Sequence, residues 1–227
     1  EQVRAEQFKQ VAGLIDAGAL QQLSDFYRQI SGLDSSTKMT LVDLTIPSLR
    51  RLSPPEYDRF QKVTRLLMAS DGQIDLFEFT LQKIIHRHLD LYFSRTRPAG
   101  IRYRRIEQLK HETAVLLSTL AGLGSRNDEE VDKAFQLGIQ SLTDELDSPL
   151  PGRLSPEHCG LAKIDEALNR FDEATPLVKK RLLHACGKVV MADQKITNNE
   201  AELLRAIADT IGCPIPPFVN DGNEKDE

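Results

Sequence analysis

Apolar residues recur at helical spacing along almost the whole chain, and this period confines it to an all-α fold. Phe60, Val63 and Leu67 form one stripe, and Phe77, Leu81, Ile84 and Ile85 the next. Ile106, Leu109, Thr113, Leu116, Leu117 and Leu120 form a third, followed by Val131, Phe135, Ile139 and Leu142. Leu182, Leu183, Cys186, Val189 and Val190 precede Leu203, Leu204, Ile207, Ala208 and Ile211. Each set follows the i, i+3, i+4, i+7 rule, so each helix carries one apolar face that needs a neighbour. A helical bundle satisfies that need. Only Met39 to Ile46 alternates enough to suggest a strand. With Pro47 directly after it, this stretch reads as a short helix or an extended linker.

Start signals agree with the stripes. Ser53-Pro54-Pro55-Glu56 puts a serine at an N-cap, proline at the first helical position and glutamate three residues after the cap. Thr175-Pro176 opens a helix in the same way, and Ser155-Pro156 repeats the pattern more weakly. The segment 144–160 concentrates Pro149, Pro151, Gly152, Pro156 and Gly160 and reads as a linker. The expected organisation is a helical half over 1–143, the linker, a second helical half over 161–219, and a charged, disordered tail over 220–227.

Composition narrows the function classes. The chain has 227 residues, ample for a core without disulfide or metal staples. A net charge of −5 argues against a surface that binds nucleic acid, where phosphate neutralisation drives association. Cys159, Cys186 and Cys213 are odd in number and lack Cys-x-x-Cys spacing, so free thiols are expected rather than a disulfide framework or a zinc ribbon. No apolar run reaches 18 residues, and no signal peptide is visible. A chain that begins with Glu1 reads as a piece of something longer.

One pattern occurs twice. Asp71-Gly72-Gln73-Ile74-Asp75-Leu76-Phe77-Glu78 and Asp193-Gln194-Lys195-Ile196-Thr197-Asn198-Asn199-Glu200 both spell Asp-x-x-Ile-x-x-x-Glu between amphipathic helices. The expected hairpins span about 57–89 and 176–211. Gly72 can supply a left-handed backbone at the end of the first helix. Asp75 with Glu78, and Thr197 with Glu200, stand at capping-box spacing. Ile74 and Ile196 can staple the turns into the core. Two roles stay open for the acidic residues: helix capping, or a divalent-cation site at Asp71, Asp75 and Glu78. A twelve-residue calcium loop is not spelled here, since no ladder of Asp and Asn precedes the glycine.

The turn Ala-x-Asp-Gly-x-Ile-x-x-x-Glu resembles the hallmark of TerB-like domains, helical bundles named for tellurite-resistance proteins. The second copy departs from it in carrying Gln194 where glycine is usual. A second resemblance covers most of the chain. Glu202-Leu203-Leu204-Arg205-Ala206-Ile207-Ala208-Asp209, followed by Cys213-Pro214-Ile215-Pro216-Pro217, is similar to the carboxy-terminal region of bacterial membrane zinc metalloproteases of the HtpX and CAAX-prenyl-protease family. Leu44 to Leu52 with Tyr57 and Phe60, then Leu76-Phe77-Glu78-Phe79, fits the same region. The resemblance implies a downstream soluble part on the cytoplasmic side. An HExxH zinc site and membrane helices would lie upstream and tether it to the inner membrane.

Catalytic motifs are not spelled in the chain. His111-Glu112 lacks the second histidine of HExxH. His86 and His88 point in different directions on a helix. His184 beside Cys186 reads as a core-helix neighbour rather than a nucleophile pair. No Gly-x-Ser-x-Gly and no phosphate loop appears. Arg95, Arg97, Arg102, Arg104 and Arg105, with Tyr92 and Tyr103, form a basic stretch that either pairs with local carboxylates or meets an anionic surface. The expected function is therefore a non-catalytic accessory or regulatory interaction domain with no cofactor beyond a divalent cation. Its partner would be the upstream protease domain or another protein. The alternative is a stand-alone TerB-like stress protein that binds a divalent metal ion.

Overall fold

A computed structural model describes residues 9, 11–68, 75–94 and 100–215. The fold is an all-α helical bundle. The chain divides into two compact units, Glu1–Thr96 and Arg97–Glu227.

In the first unit, α1 (Ala17–Ile30) starts at Asp16, whose carboxylate accepts the Ala19 amide at 2.8 Å. Helix α2 (Ser35–Leu49) starts at Asp34, which accepts the Thr37 amide at 2.9 Å and its hydroxyl at 2.6 Å. The Met39–Ile46 stretch is thus part of a longer helix. Its two buried residues, Met39 and Ile46, lie seven apart, about two helical turns. Pro47 lies inside the last turn of this helix, where it has no amide to donate to the Asp43 carbonyl. Helix α3 (Pro54–Met68) begins as expected, with Glu56 accepting both the amide and the hydroxyl of Ser53, at 2.7 and 2.6 Å.

Helix α4 (Leu76–Ile85) runs into a π-helical turn, His86–Asp90, before the short α5 (Leu91–Ser94). The Leu91 amide reaches back to the His86 carbonyl, one residue further than in an α-helix. The wider turn buries Leu89 completely. Met39, Ile46, Tyr57, Ile84 and Leu89 form the core of this unit.

In the second unit, α6 (Lys110–Gly124) is the centre, preceded by a 3₁₀ turn at Ile106–Leu109. Residues 112–118, then Leu120 and Ala121, are buried. A helix covered on every face needs neighbours all round. They are α7 (Asp128–Gln140), α8 (Leu161–Asp172), α9 (Pro176–Val190) and α10 (Asn198–Thr210), and α6 packs on all four.

The proline- and glycine-rich segment 144–160 lies inside this second unit instead of dividing the chain. Arg153 pairs with Asp132 and, at 3.1 Å, with Asp128 on α7. The Leu154 amide donates to Ser118 Oγ of α6 at 3.0 Å, and Leu150 is buried. Proline and glycine stop helices, but they do not prevent a segment from packing. Ser155-Pro156 likewise opens only a 3₁₀ turn, Pro156–His158, and α8 begins after Gly160.

Candidate functional site: an apolar cavity with an acidic rim

The amino end of α4 is built by two carboxylates. Asp75 Oδ1 accepts the Glu78 amide at 2.8 Å, and Glu78 Oε2 accepts the Asp75 amide at 3.3 Å. This is the expected capping box. It fixes both acids at the edge of an open cavity of about 580 Å³, a size typical of ligand sites.

Four helices of the first unit wall the cavity, each with one stripe. Helix α4 contributes Phe77, Leu81 and Ile85, at i, i+4 and i+8. Helix α3 contributes Phe60, Thr64 and Leu67, at i, i+4 and i+7. Val42, Ile46 and Leu49 come from α2 in the same rhythm, and Leu23 and Tyr27 from α1. Among the described residues that line the cavity, the charged ones are Asp75 and Glu78. Helix α1 buries none of its residues fully, and Phe26 and Leu44 are exposed nearby in the chain on α1 and α2.

The π turn creates a second polar feature in this unit. Asp90 Oδ1 accepts the Tyr57 hydroxyl and, at 2.7 Å, the Gln61 amide, while Oδ2 lies 3.1 Å from His86 Nδ1. Burial pushes the Asp90 carboxyl up, but the hydrogen bonds from His86, Tyr57 and Gln61 outweigh it and hold it at about 2. Burial and the Asp90 charge push the Tyr57 phenol up. A phenol kept protonated is a structural donor here, and Tyr57 also stacks on Phe93 with centroids 3.9 Å apart.

The second acidic turn joins α9 to α10. Thr197 and Glu200 form the expected capping box, with the Thr197 amide and hydroxyl 2.9 and 2.8 Å from Glu200 Oε2. Glu200 is buried, and burial pushes its carboxyl up against the opposing hydrogen bonds from Thr197; the Asp193 charge adds to the rise. Asp193 Oδ1 accepts the Lys195 amide at 2.9 Å. Gln194 has φ +64°, the left-handed conformation that glycine adopts without strain. Ile196 is only half buried.

The metal candidates Asp75 and Glu78 are thus engaged in capping, and Asp71, with Gly72 and Ile74, lies outside the described residues. Among the described residues, no group of three His, Cys, Asp or Glu side chains could hold a metal ion. In the basic stretch, Arg102 lies 3.9 Å from Glu173, and Arg105 lies 2.5 Å from Asp147. Arg104 sits beside them, its backbone amide donating to Gln108 Oε1 at 2.9 Å. Arg95 and Arg97 fall outside the described residues, as does the tail 220–227.

Glu112, from the incomplete HExxH, is buried and accepts from Arg170 Nη1 at 2.5 Å. Cys186 is fully buried, and burial pushes its thiol up to about 12, far from a reactive thiolate. His184 beside it is exposed.

The cavity was not anticipated from the sequence. Its wall residues are the helix stripes themselves, and periodicity cannot say which stripes close fully on one another. The Tyr57–Asp90 network was missed because it depends on the π turn. Among the described residues, no helix is long and apolar enough to cross a membrane. Comparison with family models, with curated proteins and with solved structures found no match.

Proposed function

We propose that this chain is a non-catalytic accessory or regulatory interaction module, and that it serves as the soluble carboxy-terminal part of a membrane zinc metalloprotease. The supporting observation is the open, mostly apolar cavity of the first unit, walled chiefly by aliphatic and aromatic side chains from four helices. Such a concave apolar surface suits docking of another polypeptide. The protease assignment rests on the resemblance of residues 202–217 and 44–79 to that family.

Two measurements test the reading. The reading frame upstream should encode HExxH and membrane-spanning helices, and a frame with neither overturns the protease parent. The purified chain, given zinc and casein, should show no peptidase activity. Turnover that a substitution in this chain abolishes overturns the non-catalytic role.

A second reading, a stand-alone TerB-like protein that binds a divalent ion, is favoured by the paired capping boxes at Asp75–Glu78 and Thr197–Glu200. Calorimetry with calcium or magnesium tests it. Under this reading Asp71→Asn loses the ion and Asp193→Asn keeps it, because the second turn carries fewer carboxylates and adds Lys195.

A further inference from the structure

From the charge pattern of the cavity wall we infer that its occupant is an amphipathic helix of a partner protein whose apolar face is flanked by lysine or arginine. The inference rests on the docking reading above and specifies the chemistry of the partner. Among the described residues, the wall is uncharged and mostly apolar on α1, α2 and α3, and its charged members, Asp75 and Glu78, both stand at the amino end of α4. The N-terminus of α4 carries about half a positive charge, so two carboxylates leave that edge negative. An apolar face inserted between the helices would bury its side chains against Leu49, Phe60 and Leu81. A cation at the end of that face would meet the acidic edge, whereas a carboxylate there would be repelled. Arrangement of charge around an apolar contact chiefly sets partner choice and register.

The capping geometry provides a clean test. Asparagine caps a helix about as well as aspartate, and glutamine replaces glutamate in a capping box. Asp75→Asn with Glu78→Gln therefore removes both charges while keeping the hydrogen bonds that start α4. The probes are three synthetic helical peptides with one common leucine face and a polar face of lysine, glutamine or glutamate. Binding to the full chain is titrated by fluorescence anisotropy, and the site is mapped by methyl chemical shifts of Val42, Leu49, Leu81 and Ile85.

The lysine peptide should bind at least about tenfold more tightly than the glutamate peptide, a ratio worth about 1.4 kcal/mol. The double variant should lose most of that ratio and leave the glutamine peptide unaffected. Thr64→Trp, which fills the cavity, should abolish binding of all three. An undiminished ratio in the double variant means that the overall charge of the chain, not this edge, selects the cation, and overturns the inference. Equal binding of the three peptides at the cavity methyls also overturns it, but leaves the docking reading intact. If no peptide shifts those methyls, both fall. If the chain self-associates and peptides displace its copies from the cavity, the occupant is a second copy and the inference fails. Should the double variant melt below the assay temperature, Glu78→Gln alone must lower the lysine-to-glutamate ratio, and an unchanged ratio counts against the inference.

Discussion

Gly138 of α7 lies directly against Val189 of α9, so closely that a Cβ at 138 would sit 2.6 Å from Val189 Cγ2 and 3.3 Å from Leu117 Cδ1. Three helices of the second unit meet at that point. Alanine would gain helix propensity of about 0.5–1 kcal/mol there, but overpacking a tight core costs about 1–3 kcal/mol. Gly138→Ala should therefore lower the melting temperature. Gly187, on α9, reverses the balance, because a Cβ added there would meet nothing within 4 Å. Gly187→Ala should raise it. Thermal denaturation of both variants checks the pair, and a stabilised Gly138→Ala would show that α7 and α9 are not in contact there.

The first unit should depend on acid-labile contacts around Asp90. Its carboxyl is held at about 2, below the ordinary 3.8. A depressed carboxylate contributes stability that is present above the unfolded value and lost as pH falls through the folded one. The loss should run from about pH 4 to pH 2. Tyr57→Phe removes one donor to a charged acceptor, costs about 1.5–3 kcal/mol, and lets the Asp90 carboxyl titrate at higher pH. Carboxyl-detected NMR titration of the two proteins reads this. An unchanged Asp90 midpoint in Tyr57→Phe would remove the tyrosine from the network.

Much of the fold was legible because helix period and capping are local. Asp75 with Glu78, and Thr197 with Glu200, formed the reciprocal cap that their spacing implied, and Glu56 took up the amide and hydroxyl of Ser53. Features set by tertiary contact were not legible. The division between units falls at 96/97 and not in the 144–160 segment, because Leu150, Arg153 and Leu154 anchor that segment to α6 and α7. The alternation over Met39–Ile46 belongs to a helix because Asp34 launches it four residues earlier than the alternation begins. The cavity depends on how four stripes fail to close, which no single stripe encodes.

Glu200 should make the second unit less tolerant of high pH. Its buried carboxyl titrates above the ordinary 4.5, so ionisation disfavours the folded state. The stability tied to its protonated form is complete below that ordinary value and is lost as pH rises through the raised one. Glu200→Gln keeps the capping box and removes the titration. Melting temperatures of the two proteins should diverge in favour of the glutamine variant as pH rises above the ordinary 4.5. Parallel curves across that range would show that Glu200 is solvated in the folded state.

Among the described residues, Gln194 is the non-glycine residue that holds a positive φ. At φ +64° its side chain crowds the following carbonyl, a strain of about 1–2 kcal/mol that glycine avoids. Glycine also loosens the unfolded chain, which returns about 0.4–1 kcal/mol. The net expectation for Gln194→Gly is a gain of about 0–1.6 kcal/mol. Asparagine tolerates the same conformation without the added unfolded-state freedom, so Gln194→Asn should match or exceed it. Ala or Val at this position keeps the strain, and valine worsens it. Thermal denaturation ranks the four variants. The expected order is Asn and Gly above the parent, the parent near Ala, and Val last. If Val equals the parent and Gly falls below it, the turn between α9 and α10 does not hold a left-handed residue at 194.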